Sequence, residues 1–282
     1  MKRIALINDL SGLGRCSLTA AIPVISAMGV EACPLPTAVL SAQTGFESYF
    51  FDDYTDKMGV FTDEWAKMGV CFDGIQSGFL ANPAQIEKVL DFLDVFQKSG
   101  TLYLADPVLG DGGVKMKAFS GGLLDGVREL VRRSSVCTPN LTELCLLAGD
   151  DYDTIVSFAA DDDYNERICE VARRLISSAY GNQTVIVTGI IHRKDSAAYV
   201  GNLAVNGSES FYLETPYTGK SFSGTGDLFA AVICGAMVKG LSVDCAMRKA
   251  AEFLQPAIKE ASAENIDRNY GICFEKYLRL LM

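Results

Sequence analysis

The chain has 282 residues, 49% of them apolar and 21% charged, and 25 basic against 35 acidic side chains give a formal charge of −10. That length and composition suit a large α/β domain with an ample core. So acidic a surface repels phosphate backbones, which excludes sequence-independent nucleic-acid binding; an anionic ligand must be held by a local pocket or a metal ion.

Nine cysteines are scattered at 16, 33, 71, 137, 145, 169, 234, 245 and 273. The number is odd and no C-x-x-C pair occurs, so they read as reduced, mostly buried thiols of a cytoplasmic protein. The start "MKRIALIND" carries too short an apolar run for a signal peptide, and no apolar run approaches the ~18 residues of a membrane span. The single histidine, His192, stands beside Arg193, Lys194 and Asp195 between two β-like runs, which predicts an exposed turn. One histidine leaves little scope for a histidine triad or a multi-histidine metal site.

In chain order, "RIALIND" (3–9) predicts a buried strand. "CSLTAAIPVISAMG" (16–29) has helix composition, with Pro23 expected to kink or restart it. "EACPLPTAVLS" (31–41) and "GIQSGFL" (74–80) predict strands. Residues 82–100 form the clearest helix, with Asn82 as cap, Pro83 in the first turn and Gly100 as the stop. "TLYLADPVLGDGG" reads as strand then loop, "LLDGVRELVRRS" as helix, "SVCTPN" as strand to loop, and "LTELCLLAG" as helix. A helix behind the acidic start "DDDYNERICEVARRLISS", a strand "QTVIVTGI", a hairpin from "SAAYVGNLAV" and "ESFYLETP", and three closing helices complete the chain. The alternation predicts a mainly parallel sheet covered on both faces, in a single domain over 1–282. Ligands of such sheets sit beyond the carboxyl ends of the strands.

Four strand ends collect polar residues. "NDLSGLGRCS" (8–17) holds Gly12 and Gly14, with Glu31 near the place of a ribose-binding acid; this is an incomplete dinucleotide fingerprint, and a tight turn explains it about as well. "ADPVLGDGG" (105–113) presents Asp106 and Asp111, which suit a hydrated Mg²⁺ or are solvated turn residues. In "TPNLTE" (138–143), Asn140 and Glu143 match a capping box, and Glu143 is alternatively free to reach a metal through water. "GKSFSGTGDLFAAVICGAM" (219–237) is not a P-loop, because Glu214 occupies the place of its first glycine. Gly224-Thr225-Gly226 leads into a helix whose free N–H groups make an anion hole, with Asp227 in the first turn. A carboxylate beside an anion hole suits phosphoryl transfer: the amides hold the phosphoryl group and the acid orients a hydroxyl in line with it.

Taken together these segments resemble the ribokinase-like superfamily. "GTGDLFAA" (224–231) resembles its anion-hole and base signature, and "DPVLGD" (106–111) with "TPNLTE" (138–143) narrows the likeness to the vitamin-kinase branch, the pyridoxal and hydroxymethylpyrimidine kinases. "LSAQTG" (40–45) and "SGF" (77–79) stand where pyridoxal kinases carry substrate-side segments. The resemblance implies a three-layer α/β/α fold and an ATP-dependent phosphotransferase acting on the 5′-hydroxymethyl group of a B6 vitamer. By it, Asp227 is the base and Gly224, Thr225 and Gly226 stabilise the transferring phosphoryl group. Asp106 and Glu143 organise Mg²⁺. Asp111, Thr138, Thr188, Gly189, Ser223 and Thr225 lie near ATP, and Asp9, Thr44 and Phe79 join Asp227 on the substrate side. It further implies a monovalent cation such as K⁺ and a homodimer; the acidic charge and the lack of a long apolar run already argue against a nucleic-acid or membrane partner.

The chain departs from the pyridoxal kinase pattern at Asp9, where those enzymes commonly have serine, and at Phe79, where they often have tyrosine. Its "DLSGLG" loop is nearer in character to the hydroxymethylpyrimidine branch. Hydroxymethylpyrimidine kinase is therefore the same-class alternative. A dinucleotide-dependent oxidoreductase resting on Gly12, Gly14 and Glu31 is the alternative of a different class. A non-catalytic sensor is disfavoured by the intact Asp227. The aromatic stretch "GFESYFFDDY" (45–54) is expected to serve packing or a dimer contact.

Overall fold

Ile4, Ala5, Leu6 and Ile7 are wholly shielded from water, as expected of an apolar run in a strand covered on both faces. The computed structural model in which they lie describes residues 1–117, 119–194 and 197–282. Its contacts divide into two compact units, Met1–Leu104 with Lys220–Met282, and Ala105–Gly219.

In the first unit β1 (Arg3–Ser11) is followed by α1 (Ser17–Ala27), β2 (Glu31–Leu40), β3 (Phe51–Asp53), α2 (Thr55–Lys67), β4 (Gly74–Ser77) and α3 (Pro83–Phe96). β1 pairs in parallel with β2 on one side and β4 on the other, and β3 adds an antiparallel edge to β2. The β1–β2 register slips between Asn8 and Leu10, whose partners Pro36 and Val39 are three residues apart. Such irregularities re-aim side chains at a strand end. Trp65 of α2 stacks edge or tilted against Phe72 and Phe92, and Phe96 closes the cluster.

β5 (Leu102–Ala105) leads into the second unit. There β6 (Gly110–Asp111) and β7 (Val114–Lys115) make a small hairpin turned by Gly112-Gly113, both left-handed as that turn requires. α4 (Gly121–Arg133), β8 (Val136–Cys137), α5 (Leu141–Ala148), α6 (Tyr152–Val156) and α7 (Tyr164–Ser177) follow. β8 runs parallel to β9 (Thr184–Lys194), and β9, β10 (Ala197–Asn206) and β11 (Glu209–Pro216) form an antiparallel meander. The chain then returns to the first unit with α8 (Thr225–Val238), α9 (Val243–Ala263) and two 3₁₀ segments, Arg268–Tyr270 and Glu275–Leu281.

Local expectations meet four corrections. α1 passes through Pro23 unbroken, because burying Leu18, Ala21, Val24 and Ile25 outweighs the roughly 3 kcal/mol of a lost bond and a ring clash. α3 stops at Phe96; Gly100 belongs to the turn beyond it, at φ +90°. His192 lies within β9 rather than a turn, its Nε2 2.9 Å from Glu214 Oε2 and its ring beside Tyr199 and Tyr212; Asp195 lies outside the described residues. Two α-helices and 3₁₀ turns replace the three closing helices. α2 carries no expectation from sequence, since only Met58 and Thr62 of its thirteen residues are buried. All nine cysteines are free, and five are buried. Among the described residues no helix is long and apolar enough to cross a membrane.

Asn82 caps α3 by accepting from the Gln85 N–H at 3.0 Å, and its Nδ2 donates to Asp53 at 3.1 Å. We expect Asn82→Ala to lower the unfolding free energy by about 1–2 kcal/mol in urea titration with an unchanged m-value.

Candidate active site

The start of α8 decides the chemistry of the first unit. Gly224 is its N-cap, in the left-handed conformation at φ +81°, and no side chain caps the helix. A Cβ at Gly224 would collide with the Arg15 carbonyl, so both the conformation and the close approach demand glycine. Thr225 spends its hydroxyl on the Phe222 carbonyl at 3.0 Å. The first amides of α8 therefore have neither intrahelical partners nor a capping side chain, which is the arrangement that attracts anions.

Asp227 occupies the third position of this helix. Its Oδ1 accepts from Asn8 Nδ2 at 3.1 Å. The residue is half-buried, yet its carboxyl lies deep enough that burial pushes its pKa up to about 6; the nearby Asp9 adds to the rise, while the Ser17 backbone N–H and the Asn8 amide oppose it. A carboxylate tuned to that value is ionised at neutral pH and is a better proton acceptor than a free aspartate.

Asp9 is only 5% exposed, and its oxygens are already engaged by Ser17 Oγ at 2.6 Å and Ser11 Oγ at 2.8 Å. Burial raises its proton affinity against these hydroxyls. Ser17 opens α1 at φ +49°, a conformation costing a side-chain-bearing residue about 1–2 kcal/mol. Its hydroxyl bond to Asp9 helps hold that conformation.

A second feature of this unit is a clasp. Gln43 Oε1 accepts from the Gly45 N–H at 2.8 Å, and Gln43 Nε2 donates to the Asn269 carbonyl at 3.1 Å. Asn269 Nδ2 donates to the Gly45 carbonyl at 3.0 Å, and the Ser223 N–H donates to the Arg268 carbonyl at 3.0 Å. The segment around Thr44, itself exposed, is thus tied to the same 3₁₀ turn as Ser223. Phe46 packs edge-on to Tyr270, while Phe50 stays 66% exposed, so packing accounts for part of the aromatic stretch. Phe79 is half-buried after β4, its N–H donating to Asn8 Oδ1 at 2.9 Å.

The remaining sites of the first unit have structural uses. Glu31 opens β2 and pairs with Arg3 at 2.8 Å; a ribose-binding acid belongs at the opposite end of that strand. Gly12 and Leu13 donate to the Leu40 and Ser41 carbonyls, and Gly14 turns the chain at φ +104°. Lys220 Nζ donates to the Ser262 carbonyl and to Asn265, closing the end of α9.

In the second unit Asp106 follows β5 and accepts from Thr138 Oγ1 at 2.8 Å. Glu143 completes the capping box of α5: Asn140 Oδ1 accepts from the Glu143 N–H at 3.0 Å and Glu143 Oε2 accepts from the Asn140 N–H at 2.9 Å. Its Oε1 accepts from the Leu109 N–H at 3.1 Å, so the same side chain also anchors the loop after Asp106. Burial and then the charge of Asp106 hold the Glu143 pKa well above the usual range. Asp111 is exposed in the β6–β7 hairpin. Thr188 and Gly189 stand opposite Asn202 where the β9–β10 register slips, with Gly189 at φ +70° and its N–H donating to Asn202 Oδ1 at 3.2 Å. That is a glycine bulge, a device that ends regular pairing beside functional sites.

Among the described residues no three His, Cys, Asp or Glu side chains are grouped to hold a metal ion by themselves. Mg²⁺ does not require such a cage; it takes one or two carboxylates, water and substrate phosphate. Asp106 fits that pattern, and the mutual repulsion of Asp106 and buried Glu143 is what a neighbouring dication relieves. Both oxygens of Glu143 are held by amides, which suits it to act beside the metal rather than as its direct ligand. Sequence reasoning overlooked Asn8, Ser17, Gln43 and Asn269. Asn8 and Ser17 bound a segment noticed for its glycines, and nothing in the linear order sets Asn8 next to Asp227.

Comparison with known proteins identifies the family. The family model described as phosphomethylpyrimidine kinase matches residues 14–272. A Bacteroides thetaiotaomicron protein provisionally named a phosphomethylpyrimidine kinase is 38% identical, with a TM-score of 0.91 over 99% of this chain and 93% of that one. A second crystal form of it, 37% identical with a TM-score of 0.90, was obtained with pyridoxal and aligns over 99% of this chain and 95% of that one. Pyridoxal kinase from Leifsonia xyli subsp. xyli is 25% identical over 256 residues, 88% of this chain and 85% of that protein. Pyridoxal kinase from Lactobacillus plantarum, at 24% identity, shares the fold with a TM-score of 0.86 over 100% of this chain and 96% of its own. The α/β fold is thus that of the pyridoxal kinases, and the chain is a kinase that belongs to the phosphomethylpyrimidine kinase family.

Proposed function

We propose that this kinase transfers the γ-phosphoryl group of ATP to the 5′-hydroxymethyl group of a B6 vitamer (pyridoxal, pyridoxamine or pyridoxine), a reaction that returns B6 to its 5′-phosphate. The observation that carries the reading is Asp227, a carboxylate with a pKa of about 6 in the first turn of an uncapped, glycine-led helix. Curated relatives named pyridoxal kinase and the pyridoxal-bound form of the Bacteroides protein support the choice of substrate.

In this mechanism the amides of Gly224, Thr225 and Gly226 stabilise charge on the phosphoryl group as it moves. Asp227 orients the substrate hydroxyl and accepts its proton late, once the bond to the leaving group is largely broken, as a loose transition state permits. Ser223, Thr225 and, in the second unit, Asp111, Thr138, Thr188 and Gly189 are assigned to ATP. Asp9, Thr44 and Phe79 are assigned to the substrate side; with its oxygens spent on two serines, Asp9 serves it by shaping the loop. Asp106, with Glu143 beside it, would hold Mg²⁺, which would neutralise charge on the triphosphate. The resemblance adds a monovalent cation such as K⁺ and a homodimer; the scattered, unpaired cysteines favour a cytoplasmic location, and the unbroken alternation of elements favours a single kinase domain over 1–282.

The deciding experiment offers pyridoxal, pyridoxamine, pyridoxine and hydroxymethylpyrimidine with ATP and Mg²⁺ and reads product mass. Phosphorylation of at least one B6 vitamer is expected; phosphate on the pyrimidine alone would overturn the assignment. Asp227→Asn should keep ATP affinity within about threefold and lower kcat by roughly 10²–10⁴. Because Asp227 must be ionised to accept a proton, wild-type kcat should fall as pH drops through about 6 and level off above it. For Asp106→Asn, the Mg²⁺ concentration giving half-maximal rate should rise roughly tenfold or more, read by titrating Mg²⁺ at saturating ATP.

A further inference from the structure

Asn8 stands in the C-terminal half of β1, 5% exposed, at the edge of the register slip. Its Oδ1 accepts two backbone N–H groups, from Asp9 at 3.0 Å and from Phe79 at 2.9 Å. Its Nδ2 donates to Asp227 Oδ1 at 3.1 Å. These contacts fix which way the carboxamide points, since the flipped amide would set N–H against two N–H donors and oxygen against a carboxylate. Gly78 packs so closely that a Cβ there would run into the Asn8 carboxamide. One side chain therefore joins β1 and the end of β4 to the first turn of α8.

From this geometry we propose that Asn8 is the positioning residue for Asp227: it holds Oδ1 of the base in place, keeps the carboxyl ionised, and ties it to the Gly78–Phe79 segment. The inference rests on the reading of Asp227 as the base. The groups that face Asp227 have distinct effects. Asp9 of β1 raises its proton affinity, the Ser17 N–H at the start of α1 lowers it, and Asn8 is the side-chain donor that lowers it. Cys16 also lies near, but its thiol is itself pushed up to about 12, chiefly by burial, and stays neutral. A buried asparagine that merely satisfied its neighbours would contribute packing and two backbone contacts. Removing it would then cost stability without moving the titration of Asp227.

Two variants of the full chain separate these roles. Asn8→Ala removes every contact. Asn8→Leu keeps the side-chain shape and removes the donor without adding a charge beside Asp227, so it decides the matter if the alanine variant does not fold. The probe is the carboxyl ¹³C signal of Asp227 in aspartate-labelled protein, assigned by its loss in Asp227→Asn, together with kcat against pH. In either variant the titration midpoint should rise by about one pH unit, with the acid limb of kcat moving alongside it and KM for ATP within about twofold of wild type. An unmoved midpoint in a folded variant would overturn the proposal and leave Asn8 a packing residue. Full turnover in Asp227→Asn would instead overturn the base itself, while the midpoint would still report whether Asn8 controls that carboxyl.

Discussion

The N-terminus of α8 is the constraint from which the rest of the first unit follows. Its leading amides have no intrahelical acceptor, and Gly224 offers no side chain to cap them. Amides left without a capping side chain need another acceptor, and the helix dipole favours an anion among the candidates. In a protein with a formal charge of −10, such a helix end favours an anion without a cluster of lysines. The same requirement explains why the loop before α8 is glycine-rich. Gly224 has to adopt φ +81° while the Arg15 carbonyl presses against it, and any larger residue would push the first loop away.

Bringing acids close to such an end has a cost, and it is visible in the carboxyl groups. Asp9 and Asp227 are driven by burial toward the protonated form, and within the second unit burial does the same to Glu143. Each is opposed by local donors: two serine hydroxyls for Asp9, the Asn8 amide and the Ser17 N–H for Asp227, and the Asn140 and Leu109 N–H groups for Glu143. The left-handed Ser17 is a further cost. Stability comes from elsewhere, from strands and helices whose apolar faces are wholly buried and from the Trp65, Phe72, Phe92 and Phe96 cluster. That scaffold leaves burial and local donors to set the Asp227 carboxyl, which titrates above a free aspartate.

Much of this was legible in the residues. Asn82, Pro83 and the three- and four-residue apolar spacing announce α3, and Asn140 with Glu143 announces the capping box, because caps and helical periods depend on neighbours in the chain. "GTGDLFAA" announces the anion hole for the same reason: glycine freedom and helix polarity are local properties. Local signals fail where packing outvotes them. Pro23 sits inside α1, His192 inside β9, and α2 forms on a narrow buried stripe that no periodicity count would favour.

Sequence by itself determined the alternating order of strands and helices, the glycine-led start of α8 and the presence of an acid in its first turn. Tertiary structure alone decided what that acid is. Asn8 lies 219 positions away, and only the pairing of β1 with β4, together with the approach of α8, brings its amide to Asp227 Oδ1. It also decided that Asp9 is spent on serines and that Glu31 faces Arg3. The physical reason is that burial and hydrogen-bond partnership, which set a carboxyl group's proton affinity, are properties of distant segments meeting in space and leave no trace in the order of residues.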